Sequence, residues 1–263
     1  MEVNIPISLK AEPIFHIGSF AITNTLLLTW GVLLLFIVIG LLLRKKWHLI
    51  PGKLQMVFEF ITEEVLNLME SVMGERSKAE RYFPLVATIF LFILFSNWMG
   101  LFPFLGSIGI YEHHGGESVF VPFFRSPASD LNFTLALAIV SVVMTNILAV
   151  GSLGFFGHMK KFFNFSNPIH FFVGILEFVS EFAKVISFSF RLFGNVFAGE
   201  VLLLIVGVLA PYLIPMPFIF LEIFVGFIQS FIFSMLTVVF IATATASHDD
   251  SHEHKAEAIG QMA

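Results

Sequence analysis

Long apolar runs alternate with short polar stretches along this chain, and the runs have the length of membrane spans. Leu26–Leu43 holds 18 residues without a charge. About 20 apolar residues cross a bilayer core, so residues 21–43 are expected to form a first span. Arg44, Lys45 and Lys46 follow at once, which by the positive-inside rule puts that end in the cytoplasm and residues 1–20 outside. Those first 20 residues lack a basic stretch followed by an apolar one, so no cleavable signal or transit peptide is expected. Residues 51–73 behave differently. Val57, Phe58, Phe60, Ile61, Val65, Leu66, Leu68 and Met69 recur at helical spacing, with Glu59, Glu63, Glu64 and Glu70 between them. This predicts an amphipathic helix lying on the inner surface or against a partner.

Spans at 85–105 and 131–157 follow, joined by a polar loop over 106–130. Asn167-Pro168 signals a turn. From Ile169 to Ala210 the pattern stays helical for 42 residues, about 63 Å at 1.5 Å per residue. The hydrocarbon core is about 30 Å thick. The segment must therefore break near Gly194-Asn195 or lie far from the membrane normal. Pro211, Pro215 and Pro217 end it, residues 218–246 form the last span, and 247–263 are a polar cytoplasmic tail. The whole chain, 1–263, reads as one all-α polytopic membrane domain. It has five crossings and one surface helix, with the last two crossings (169–210 and 218–246) long and strongly tilted. This topology puts ten of the 14 basic residues inside and only Lys10 and Arg125 outside, the expected bias. The other two, Lys184 and Arg191, fall within the fourth apolar run.

Composition agrees. The chain is 57% hydrophobic and 13% charged, with a mean hydropathy of +0.90, against about 25% charged in soluble domains. Net charge is −5 and Cys is absent. These values exclude a nucleic-acid binder, a disulfide scaffold and thiol chemistry. No phosphate loop, H-E-x-x-H or G-x-S-x-G is present, so neither a nucleotide site nor a catalytic site is expected. His113, His114 and the His/Asp-rich stretch 248–254 read as solvated segments, with no metal and no cofactor implied.

With charge this scarce, each ionisable residue at membrane depth needs a reason. Glu177, Lys184 and Arg191 are spaced by seven, which drifts only about 20° per step around a helix. Ser180, Ser187 and Asn195 join at offsets of three and four. One face of the fourth segment is thus expected to be polar through the membrane. Ser and Asn often act as interhelical glue, but two cations ask for more. An arginine cannot give up its proton in practice. No carboxylate of this chain is placed by helical geometry to meet Arg191, so its partner is expected on another subunit. Glu200 lies about 13 Å farther along the helix, toward the outer side. Glu222 falls near the outer end of the last span, and Gln229, seven residues on, continues that face inward. Asn97 and Asp130 also lie toward the outer side. Two neighbouring carboxyl groups suit a proton relay. Glu177, Ser180, Lys184 and Ser187 form the inner counterpart. The layout is that of two offset half-channels separated by a fixed positive charge.

SFRLFGNVFAGE (189–200) closely resembles the region around the essential arginine in the subunit a family of the rotary F-type ATP synthase. ILEFVSEFAKVISFSF (175–190), GFIQSFIFSMLT (226–237), EPIFHIGSFAITNTLL, NWMGLFP and SPASDLNFTLALA are similar to that family as well, so the resemblance covers essentially the whole chain. It implies a bacterial-type, multi-pass stator subunit of the inner membrane that is not catalytic alone. It implies two tilted helices against a c-ring of subunit c, contact with peripheral-stalk subunit b and with the bilayer, and no nucleic acid or direct nucleotide. Arg191 would match the arginine that meets the ring carboxylate. Asn195 and Gln229 would match polar residues near it, and Glu200 the outer half-channel acid. The position of Glu222 is His in some members and Glu in others, so the relay here would be all-carboxyl. The translocated ion would be H⁺, with Na⁺ open. A secondary ion transporter with a midplane ionisable site is the alternative. Such folds carry internal repeats and broken helices, and no repeat is visible here.

Overall fold

A computed structural model of the chain describes residues 11–18, 20–44, 52–102, 107–114, 117–162, 168–210 and 213–245. Lys45, Lys46, Pro103, the Asn167 turn, Pro211 and the tail 247–263 lie outside the described residues. Seven helices are present among the described residues: α1 (Asn24–Arg44), α2 (Lys53–Met73), α3 (Arg76–Gly100), α4 (Leu131–Leu153), α5 (Phe155–Phe162), α6 (Pro168–Leu209) and α7 (Pro215–Thr245). Five of them, α1, α3, α4, α6 and α7, are long and apolar enough to cross a membrane. The protein is an all-α multi-pass membrane protein.

Two antiparallel hairpins were not expected. β1 (Pro13–Ile17) pairs with β2 (Phe20–Thr23), and β3 (Gly109–His114) pairs with β4 (Glu117–Pro122) within the 106–130 loop. Chain alternation puts both hairpins at one end of the bundle and α2 and α5 at the other. The second span differs from the expected 85–105. α3 starts at Arg76, passes through Pro84 and stops at Gly100. A proline removes one donor and usually bends a helix, but here the polar turn before it is already helical. The third span ends at Leu153, because Gly154 takes φ +76 and redirects the chain into α5. The surface helix begins at Lys53. It closes on Gly74, whose left-handed φ of 74° lets its N–H bond Glu70 O at 2.8 Å.

α6 does not break at Gly194-Asn195. It is one helix of 42 residues, so the alternative of a break is not what the chain adopts.

The core has two layers. Leu66 and Met69 of α2 pack with Ala79, Tyr82 and Val86 of α3 and with Val238 and Ile241 of α7. The second layer joins Ile89 and Ile93 of α3, Ala138 of α4, Phe188 and Leu192 of α6, and Phe233 of α7. Phe188 meets Phe233 at 4.5 Å between ring centroids and stacks on Phe240 at 5.4 Å. Lipid offers no hydrophobic drive between helices, so close packing and hydrogen bonds hold them. Thr134 and Ser189 hydroxyls are 3.1 Å apart between α4 and α6, and Ser141 and Thr237 are 2.9 Å apart between α4 and α7. On α2, Met56, Val57, Phe60 and Ile61 stay exposed, an apolar face free for lipid. Arg76, at the start of α3, binds Glu63 and Glu70 of α2 and Glu80 of its own helix; the first two tie α2 to α3 with exposed pairs worth about 0.2–1 kcal/mol each.

Gly100 ends α3 against the segment that precedes α4. A Cβ there would lie 2.5 Å from Ser126 Cβ and 2.9 Å from Ser126 Cα. Gly100→Ala is therefore expected to displace residues 125–129 and reduce the folded subunit in the membrane by several-fold. Immunodetection of the membrane fraction measures this, and unchanged amounts would contradict the close approach.

Candidate functional site

The polar residues of α6 and α7 meet along a line between the two helices. Near the hairpin end, Glu222 is 8% exposed and its carboxyl group lies against α6 at Gly199. A Cβ at 199 would fall 2.0 Å from Glu222 Oε1, so only glycine leaves room for this approach. One turn farther along α7, Gly226 comes close to α3. Asn97 Nδ2 donates to Gly226 O at 3.4 Å, and Trp98 Nε1 donates to Ile223 O at 3.0 Å. Gln229 follows, 3% exposed, and its Oε1 accepts from Asn195 Nδ2 at 2.9 Å. Asn195 stands one turn from Arg191, whose Nη2 donates to Ser187 Oγ at 3.3 Å. Asn195 of α6 and Gln229 of α7, each expected near Arg191, are hydrogen-bonded to one another.

Three buried atoms on this line lack a hydrogen-bond partner among the described residues: Ser96 Oγ, Asn97 Oδ1 and Gln229 Nε2. Buried polar groups are nearly always satisfied, by protein or by ordered water.

Arg191 has no carboxylate within 4 Å among the described residues. It lies beside the open face of α6, where Phe182, Ile186, Ser187, Phe190 and Asn195 are exposed.

Other expected members of the site stand elsewhere. The single polar stripe is split. Lys184 turns away from Arg191, binds Glu181 at 2.6 Å and lies 4.7 Å over the Phe240 ring. Ser180 and Ser187 are exposed, whereas Glu177 is half-buried. Glu222 reaches α6 at Gly199, next to Glu200 in the chain. Glu200 is clasped by Arg125, with Nε to Oε1 at 2.8 Å and Nη2 to Oε2 at 3.2 Å. Arg125 lies in the 106–130 connection, as expected from sequence, with its side chain 10% exposed. Asp130 caps α4: its carboxylate accepts from Asn132 N at 2.9 Å and from Thr25 Oγ1 of α1 at 3.3 Å.

Sequence reasoning also missed a network at the opposite end. His158 Nε2 donates to Asn146 Oδ1 at 3.0 Å, and Asn146 Nδ2 donates to Glu181 Oε2 at 3.2 Å. It borders a cavity of about 690 Å³ between α4, α5 and α6, walled mainly by apolar side chains such as Val143, Ile147, Phe178 and Phe182. An uncharged Asn in the middle of a span was the available signal. No cluster of three metal-ligating side chains occurs among the described residues. The side chains of His113 and His114 lie outside them.

A family profile described as ATP synthase A chain matches residues 26–242. The chain belongs to this family. Among relatives, ATP synthase subunit a of Moorella thermoacetica is 33% identical over 235 residues, covering 89% of this chain and 96% of that one. Subunit a of Campylobacter concisus is 35% identical over 226 residues, covering 85% and 89%. Subunit a of Gloeobacter violaceus is 33% identical over 229 residues, covering 87% and 86%. The match spans all five membrane-length helices and the whole line from Glu222 to Arg191. Within that span, Asn195 of α6 meets Gln229 of α7, and Arg191 precedes Asn195 by one turn on α6.

Proposed function

We propose that this chain is the proton-path stator subunit of an F-type ATP synthase. It couples proton flow to rotation of a ring of subunit c and so to ATP synthesis. It has no catalytic role alone and binds no nucleotide; the peripheral stalk holds it through subunit b. The observation that carries this reading is Arg191, a permanent cation on the open side of α6 with no carboxylate of its own chain within reach among the described residues. Such a charge at membrane depth needs an anion, and an acidic residue on a passing partner supplies one. The apolar faces of α6 and α7 around it suit a partner that presents lipid-like side chains.

In this reading, residues 1–20 lie outside and the tail 247–263 lies in the cytoplasm of a bacterial inner membrane. A proton from outside passes Glu222, with Glu200 and Asn97 beside it, and crosses the polar stretch near Gln229 to a ring carboxylate. The neutral carboxyl can turn through lipid because its charge, and the cost of desolvating it, are gone. It reaches the inner route near Glu177, Ser180 and Ser187 and releases its proton there. The anion then meets Arg191, which blocks direct passage between the routes. The driving force is about 2.3 kcal/mol per charge per 100 mV, plus the pH difference. Asp130 contributes by holding α4 and α1 in place, and Lys184 by holding Glu181.

The absence of Cys from this chain makes a direct test available. Ser187→Cys, on the open face of α6, is expected to cross-link to a cysteine placed beside the ring carboxylate. Ser189→Cys, buried toward α4, is expected not to. Equal cross-linking at both positions, or none at Ser187→Cys in an assembled complex, would overturn the assignment. Ion specificity is read from ATP hydrolysis with and without Na⁺; the H⁺ assignment expects no Na⁺ dependence.

A further inference from the structure

Lys184 and Arg191 are the two Lys/Arg residues of α6 and stand seven positions apart. Seven residues fall only about 20° short of two full turns, so the backbone sets both on nearly the same side. Ser180 and Ser187, four residues before and three after Lys184, are exposed on the open face of the helix. A flexible four-carbon stem lets an ammonium reach either way from such a position. Here it reaches away from that face. Lys184 Nζ donates to Glu181 Oε1 at 2.6 Å and lies 4.7 Å over the Phe240 ring of α7. The lysine side chain is 21% exposed and the glutamate 18%.

Glu181 is itself held. Asn146 Nδ2 of α4 donates to Glu181 Oε2 at 3.2 Å and to Val142 O at 2.8 Å. A carboxylate and a carbonyl only accept, so the amide nitrogen must face them. That leaves Asn146 Oδ1 toward His158 Nε2, at 3.0 Å, and fixes the amide from both ends. The two oxygens of Glu181 are thus divided. One takes the lysine and the other is braced by α4, so the carboxylate cannot follow the lysine outward without leaving Asn146. Arg191 has no such tie: it bonds Ser187 and has no carboxylate within 4 Å among the described residues.

Resting on the proton-path reading above, we infer that Glu181, braced by Asn146, is a positioning residue that draws Lys184 off the ring-facing side of α6. Arg191 is then the cation that a ring carboxylate meets on that helix. Seven residues are about 10 Å along a helix. A free ammonium at that distance from Arg191 would offer a passing ring carboxylate a second stopping place, beside Ser180 on the inner route. An ammonium already bonded to a carboxylate attracts a second one far less, because the two charges of the pair nearly cancel. Glu181 therefore works on the ring through Lys184 and carries no proton itself.

The test uses the whole membrane complex in vesicles and reads proton-driven ATP synthesis per incorporated subunit and ring. Glu181→Gln keeps the shape but not the charge, and is expected to lose synthesis by about fivefold, the scale of coupling between contacting residues. Adding Lys184→Met removes the freed cation, so Glu181→Gln/Lys184→Met is expected to regain about fivefold over the single variant. An assembled double variant as slow as Glu181→Gln overturns the inference, because position 181 then needs a carboxyl group in its own right. Normal synthesis by Glu181→Gln also overturns it, since Lys184 would then be harmless when released. A second readout separates positioning from packing. With a cysteine beside the ring carboxylate, Ser187→Cys is expected to cross-link more than Ser180→Cys. Glu181→Gln is expected to raise the Ser180→Cys yield several-fold, and Lys184→Met to return it to its starting level. A yield that Glu181→Gln leaves unmoved refutes the second stopping place. If Glu181→Gln fails to incorporate, Asn146→Ser decides, because it keeps both charges and removes the brace. A loss of synthesis that Lys184→Met reverses supports the inference, and any other result in an assembled complex refutes it. Arg191→Ala in the same vesicles separates the two levels. Normal synthesis there would sink the proton-path reading itself, whatever the Glu181 variants show.

Discussion

Arg191→Ala is expected to abolish proton-driven ATP synthesis while leaving the subunit assembled with its ring. Arg191 makes one side-chain bond, to Ser187 on its own helix, so its loss removes little that holds the fold. What it removes is the fixed cation. Two unit charges 4 Å apart at an effective dielectric constant of 20 attract by about 4 kcal/mol, which is about a thousandfold in an equilibrium. Without that attraction the ring carboxylate has no preferred stopping place, and no charge separates the two routes. Arg191→Lys keeps the charge but loses the planar fork and binds water more strongly, so it is expected to recover only a small part of the rate. ATP synthesis in energised vesicles, with the ring quantified in the same membranes, measures both. Normal synthesis by the alanine variant would end the assignment.

Glu222→Gln is expected to lower the rate of proton uptake by about a hundredfold, the scale that a positioned acid–base group contributes. The amide has nearly the same shape and fits the gap that Gly199 provides, so packing of α6 on α7 is kept. Only the capacity to exchange a proton is lost. Glu222→Asp draws the carboxyl group back from Gly199 and is expected to fall between the two. Passive proton conduction through the membrane sector, after removal of the catalytic sector, reports this step without the chemistry of ATP. Unaltered conduction by Glu222→Gln would show that the carboxyl group is a packing element. Gly199→Ala approaches the same point from the other helix. Its Cβ would occupy the position of the carboxyl group, which is the movable end of a flexible side chain, so the helix survives while Glu222 is pushed aside.

The apolar runs made the five membrane-length helices legible, because a span must be long and nearly free of charge. The same rule hid two features. The stretch from Gly109 to Pro122 reads as a polar loop, although Val119–Val121 is apolar and rich in strand formers and Gly115-Gly116 stands between two equal runs, a usable hairpin signal. The start of α3 was placed after Pro84, although eight helical residues precede that proline. Helical spacing put Asn195 on the side of Arg191 and Gln229 on the side of Glu222, but their contact across the two helices is not something spacing within one helix can show. It failed for Lys184. Residues 184 and 191 share a helical angle, but α6 packs α4 along one edge of that face, and a long side chain at an edge can turn either way. Lys184 turned to Glu181. The Arg125–Glu200 pair was beyond reach for a different reason. The two residues are 75 positions apart, and no periodicity connects an irregular corner to a helix face. Only the position of that corner, set by Gly100 and Ser126, brings them together.

The unbroken α6 has a consequence for the bilayer. A rod about 63 Å long, if held wholly within a layer about 30 Å thick, would lie about 60° from the normal. An upright helix meets a change in membrane thickness directly, at fractions of a kcal/mol for each ångström of mismatch. At this inclination, a layer about 3 Å thicker is matched by swinging the rod upright by only about 3°. A helix so inclined would be tolerant of lipid thickness, and Arg191, near its middle, would keep to the midplane of the layer.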